Sequence, residues 1–137
     1  MFSATGQASI DIGDKTYHVA RMGPIISADV SKILISGKVM PFLQIEDMTG
    51  AVIMAMMDLP DDKLKTVASA VLEKSKGPDG NQVTQLSFNG DITAYWQLVA
   101  KVLFANFTEL ALYLEVEKGK LAEYAKAAAM ARKLQKV

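Results

Sequence analysis

The stretch after Asp91 constrains this chain most. Over residues 92–116 apolar side chains recur on two helical stripes at once. Ile92, Trp96, Val99, Leu103, Phe107 and Leu110 fall on one; Tyr95, Leu98, Val102, Ala105 and Leu112 fall on the other. A helix that is apolar on two sides is either central to a core or shared between its own core and a partner. Asp91 suits its N-cap, and the preceding Asn89-Gly90 breaks whatever comes before. The expected helix covers about 91–117. Gly119 should interrupt it, and an alanine-rich helix over about 120–135 should follow, striped by Leu121, Tyr124, Ala128 and Leu134. Small residues on that stripe permit close approach of another helix.

The N-terminal part reads differently. Over residues 9–21 Ile10 and Ile12 alternate with polar neighbours, Gly13-Asp14-Lys15 supplies turn chemistry, and Tyr17, Val19 and Arg21 resume the alternation. This is the pattern of a β-hairpin, bounded at about 8–22 and stopped by Gly23-Pro24. A helical body over about 26–76 comes next. Ile26, Val30, Ile33 and Leu34 share one helical face, with Ser27 or Asp29 as cap and Gly37 as C-cap. Residues 39–45 hold Pro41 and read as either a short helix or an extended segment. Residues 49–57 suggest another helix, capped by Asp47 or Thr49. Asp58-Leu59-Pro60-Asp61-Asp62 is a strong helix start, and the stripe Leu64, Val67, Ala68, Val71, Leu72 follows it, with Lys74 and Lys76 near the end and Gly77-Pro78 beyond. Residues 83–88 alternate well enough for a short strand. The order of elements predicts a mainly α (α+β) fold: one helical domain over 1–137 with an N-terminal β-hairpin and a long C-terminal helix pair.

A chain of 137 residues can bury a real core, and 50% hydrophobic residues argue against disorder. Fifteen basic residues balance fifteen acidic ones, so no global field favours nucleic acid or an anionic membrane. There is no cysteine, hence no thiolate nucleophile, disulfide or cysteine-held zinc. The start of the sequence lacks the basic and apolar regions of a signal peptide, and Lys38, Lys101 and Glu109 break the apolar runs below the ~18 to 20 residues of a membrane span. A cytoplasmic location without membrane contact is the expectation.

No catalytic, cofactor-binding or metal-binding set emerges. His18 is the one histidine, and it has no partners at ligand spacing. Asp58, Asp61 and Asp62 match no calcium loop and read as helix capping. Ser36-Gly37-Lys38 lacks the upstream glycine of a phosphate loop and the hydroxyl that would hold magnesium. Lys118, Lys120, Lys126, Arg132, Lys133 and Lys136 face only Glu123 at the C-terminal end. They suit a solvated face better than a nucleic-acid site, because the intervening alanines offer no stacking platform. Tyr95, Trp96, Phe104 and Phe107 are expected as core or subunit interface rather than a ligand pocket, since few polar groups converge there. Trp96, Leu103, Phe107 and Leu110 are the candidate core or self-association residues. Eight methionines read first as core filling and second as adaptable binding surface.

Four features resemble the tail assembly chaperones of long-tailed bacteriophages: the opening Ile10-Asp11-Ile12-Gly13-Asp14-Lys15-Thr16-Tyr17, the helix starting at Leu59-Pro60-Asp61-Asp62, Phe88-Asn89-Gly90-Asp91 leading into a long helix, and Phe104-Ala105-Asn106-Phe107-Thr108-Glu109-Leu110 late in it. Leu110 and Ala111 stand where a second aromatic often follows the Asn-Phe pair. The resemblance implies a non-enzymatic protein absent from the finished virion. It would self-associate in the bacterial host's cytoplasm and coat the tape measure protein while tail tube protein assembles around it. A longer form made by frameshifting is also implied. The readings that rest on residues alone leave two alternatives: a module binding a small molecule or peptide along the long helix, and a nucleic-acid-associated protein using the basic end.

Overall fold

A computed structural model describes residues 2–135. Strands β1 (Gln7–Ile12) and β2 (Lys15–Ala20) form the expected antiparallel hairpin, closed by the two-residue turn Gly13-Asp14. Gly13 sits at φ 62°, a left-handed conformation that glycine reaches without a Cβ clash and that matches the twist of the paired strands. Register pairs Ile10 with Tyr17 and Ala8 with Val19, and all four side chains are buried. The polar alternates face out, among them His18 opposite Ser9. On the outer face the Thr16 hydroxyl donates to Asp11 across the strands at 2.7 Å.

Helix α1 (Pro24–Ser36) starts earlier than the Ser27 or Asp29 caps suggested. Proline at the first helical position needs no N–H acceptor and has its φ already set, so Gly23-Pro24 opens the helix as well as ending the hairpin. Val30 and Leu34 face the core. The helix ends at Gly37, where a Cβ would collide with the Leu59 side chain, and Lys38 takes the left-handed turn at φ 61°. The Val39 N–H then reaches back to Leu34 O at 2.8 Å, satisfying a carbonyl of the last turn. Residues 39–45, left open by the sequence, hold a 3-10 turn at Met40–Gln44 that buries Met40 and Leu43.

Helix α2 (Thr49–Met57) buries Val52 and Met56, and neither Asp47 nor Thr49 caps it. Helix α3 (Asp61–Glu73) carries its acids in the first turn and buries Val67, Ala68, Ala70 and Val71, with Leu64 and Leu72 half-buried. It ends before Gly77-Pro78. Lys74 caps it, and Ser75–Lys76 straightens into strand β3, antiparallel to β2. The expected strand over 83–88 is therefore corrected. The third strand comes from the chain leaving α3, which arrives beside the open edge of β2, and Ser75 is fully buried there. Val83 still donates its N–H to Ser75 O, but Gln85–Phe88 winds into a 3-10 turn, closed by reciprocal Thr84 and Ser87 bonds. Phe88 in that turn and Val83 before it are buried, while Leu86 faces solvent. An alternation over six residues cannot distinguish this from a strand.

The largest correction concerns the C-terminal helix pair. One unbroken helix, α4 (Ile92–Gln135), covers 44 residues. The Asp91 carboxylate accepts from the Ala94 N–H at 3.1 Å, as a cap should. Gly119 does not interrupt the helix. Nothing lies within 4 Å of a Cβ placed there, so no packing demand bends the chain, and glycine's cost of roughly 1 kcal/mol is too small to stop a helix with strong formers on both sides. The first half of α4 is the central element, touching β1, α2, α3 and the 3-10 turns. No helix of the described residues is long and apolar enough to cross a membrane.

Candidate functional site

Two surfaces stand out, both built on α4. The first is its C-terminal half. Ala111 is the last buried residue of the helix, at 2% exposure. From there to Gln135 the helix runs on for about 36 Å, at the usual 1.5 Å rise per residue. Tyr113, Val116, Leu121, Tyr124, Met130 and Leu134 expose between 59% and 75% of their surface along this arm. Leu114, still packed against the core, and a long 3.5 Å contact from the Gln44 amide to Glu115 mark where the arm leaves the body. Beyond them the arm carries one ion pair, Lys120 to Glu117 at 3.2 Å, which is exposed and contributes little. At 100° per residue its cations Lys118, Lys126, Arg132 and Lys133 fall within about 120° of one another and Lys120 falls on the opposite side, but the residues among them are mostly alanines, which give nucleic-acid bases nothing to stack on. Lys136, counted with them from the sequence, lies outside the described residues.

The second surface is a groove of about 440 Å³ where α3 meets the first turns of α4. Leu64, Leu72, Phe88, Tyr95 and Trp96 make its apolar walls, and Ile92, two-thirds exposed, stands on its lip. An aromatic chain backs it. Phe88 stacks on Tyr17 at 5.7 Å, Tyr95 meets Phe88 edge-on at 5.4 Å, and Trp96 meets Tyr95 edge-on at 4.8 Å. Such contacts hold rings more rigidly than area burial alone. Burial raises the Tyr95 phenol above its ordinary pKa. The same cause, followed by the Asp91 charge, raises Tyr17. Both phenols stay neutral at physiological pH. The charged groups at the groove are Lys65 and Asp91, one of each sign.

The four candidate residues divide between roles. Leu103 and Phe107 are fully enclosed in the core, at 0% and 2% exposure. Trp96 is half-buried in the groove wall, and Leu110 is half-buried where the arm departs. Of the four aromatics weighed as a pocket, Tyr95 and Trp96 line the groove while Phe104 and Phe107 are buried away from it. The facing wall from α3 was missed. Leu64 and Leu72 lie on that helix's own apolar stripe, and nothing in the spacing says that its edge stays uncovered. Asn106 also gained its meaning from the structure. Its amide oxygen accepts from the Met22 N–H at 3.1 Å, and its amide nitrogen donates to Val102 O at 3.0 Å.

Other features take plain structural places. His18 lies on the solvent face of the sheet, Asp58 caps the C-terminus of α2, and no group of three or more His, Asp or Glu among the described residues is arranged to hold a metal. The methionines divide: Met22, Met40 and Met56 are buried, while Met54, Met57 and Met130 are exposed. The sequence matches no protein-family model and no curated protein, and the fold matches no solved structure.

Proposed function

We propose that this chain is a non-enzymatic assembly chaperone of the long-tailed phage type. In this reading it self-associates in the host cytoplasm and sheathes the apolar tape measure protein while tail tube protein assembles around it. The observation that carries this reading is the arm: a helix running about 36 Å beyond its last buried residue with six large apolar side chains in water. Exposed apolar surface on that scale is costly and is normally covered by a partner. The exposed Met54, Met57 and Met130 add side chains that repack against varied surfaces, which suits a client recognised by apolarity more than by sequence. Co-expression of the tape measure protein with and without this chain tests the reading. Soluble tape measure protein that co-purifies with the chain supports it. A client equally soluble in its absence counts against it.

The groove favours a second reading, a module for a small molecule or peptide. Its volume lies in the range of ligand pockets, roughly 300–1,000 Å³, although few polar groups converge on it. A rise in melting temperature with a compound library, lost on filling the groove by Ala68→Phe, would favour that function.

A further inference from the structure

The two α4 surfaces lie at opposite ends of one rigid helix. Trp96 in the groove wall and Leu121 on the arm are separated by twenty-five helical residues, about 38 Å. The arm cannot fold back into its own groove without breaking α4, so any contact between these surfaces joins two molecules.

Bulk charge favours a contact of arm with body over one of arm with arm, while at the groove itself Lys65 and Asp91 cancel. The net charge of zero conceals a segregation. Residues 1–111 hold twelve acids and nine bases, net −3, while residues 112–137 hold three acids and six bases, net +3. Attraction between a basic arm and an acidic body steers one onto the other, whereas two arms brought side by side repel. Both surfaces are also apolar where they would touch. Leu121 and Tyr124 lie one turn apart on the arm, next to Ala125 and Ala128, whose small side chains let a helix settle closely against a wall.

We propose that the arm of one copy docks, through Leu121 and Tyr124, in the groove between α3 and the start of α4 of a second copy. The inference rests on the reading that the arm is an association surface, and it adds where that surface goes. The contact is heterologous. Each molecule gives an arm and receives one, so assembly proceeds head to tail and ends only by ring closure. Screening opposes it, so association weakens as salt rises.

The test uses full-length protein and two variants changed at exposed positions. Ser69→Arg with Ile92→Gln blocks the groove and leaves the arm intact; Leu121→Glu with Tyr124→Glu blocks the arm and leaves the groove intact. Circular dichroism checks that both fold. Light scattering behind a sizing column then follows mass against concentration. The unaltered chain should exceed its monomer mass of 14.8 kDa, and each variant alone should be monomeric. Mixed in equal amounts, the variants should form a 1:1 heterodimer and nothing larger, because one arm and one groove remain usable. Emission of the single tryptophan, Trp96, should shift to the blue on mixing, since it lines the groove. An unaltered chain that is monomeric throughout sinks the association reading and this inference together. An oligomer that persists in the groove variant, or a mixture that forms no heterodimer, overturns the arm-in-groove contact and leaves the association reading standing.

Discussion

Asn106 and Phe107 show how adjacent residues on a central helix take separate tasks. Asn106 anchors the end of the hairpin by accepting from the Met22 N–H, and Met22 itself is buried at 3% exposure. Asn106→Leu leaves that N–H without its partner, so unfolding in urea should show a loss of about 1–3 kcal/mol; Asn106→Asp, which keeps an acceptor, should lose less. Phe107 faces the core from the next position. Phe107→Asp removes a packed ring and buries a charge, which together exceed the roughly 5–15 kcal/mol that holds a domain of this size. The variant should show no cooperative unfolding transition. One that folds and merely dissociates would move Phe107 from core to interface. The tyrosines give a pH dependence. Both phenols have folded pKa values above the ordinary 10.0, so the folded state holds its protons longer than the unfolded chain. Their contribution is intact below about pH 10 and is lost as pH rises from there toward the raised values. Tyr17→Phe combined with Tyr95→Phe should flatten the alkaline fall in melting temperature.

At the scale of elements, α4 and the segment after α3 are where expectation and structure part. The N-cap at Asp91 and the buried stripes of α4 were legible because capping and 3.6-residue periodicity are local. Its length was not, because a lone glycine weakens a helix without deciding whether it ends. Gly119→Ala should therefore stabilise the arm by about 0.5–1 kcal/mol. Since Gly119 lies beyond the last contacts with the body at Leu114 and Glu115, the gain should appear as slower hydrogen exchange in residues 116–135 and leave the global unfolding midpoint unchanged. Strand β3 failed to show for a different reason. Two residues suffice for it, and they pair because α3 delivers them to the edge of β2. No local pattern marks such a strand.

The whole molecule is a core wrapped around half a helix, with the other half left in water. Stability therefore draws on the buried first half of α4, whereas the proposed association uses the arm and the exposed rim of the groove. Leu121→Glu with Tyr124→Glu should leave the denaturation midpoint of dilute protein within about 0.5 kcal/mol of the original, as exposed substitutions do, while abolishing concentration-dependent mass. A large loss of stability in the dilute variant would mean that the arm packs on its own body.

What the sequence determined by itself is what local physics encodes: the hairpin with its glycine turn, the helical body, the capped start of α4, and Leu103 and Phe107 as residues of an apolar stripe. Tertiary structure decided what depends on distant neighbours. The stripes of α4 look alike from residue 92 to 116, yet the body ends at Ala111, so equivalent side chains become core on one side of that point and open surface on the other. The groove likewise exists only because the fold brings α3 beside the first turns of α4 at Trp96. Periodicity records which side chains share a face; whether that face is covered depends on how much chain is left to cover it.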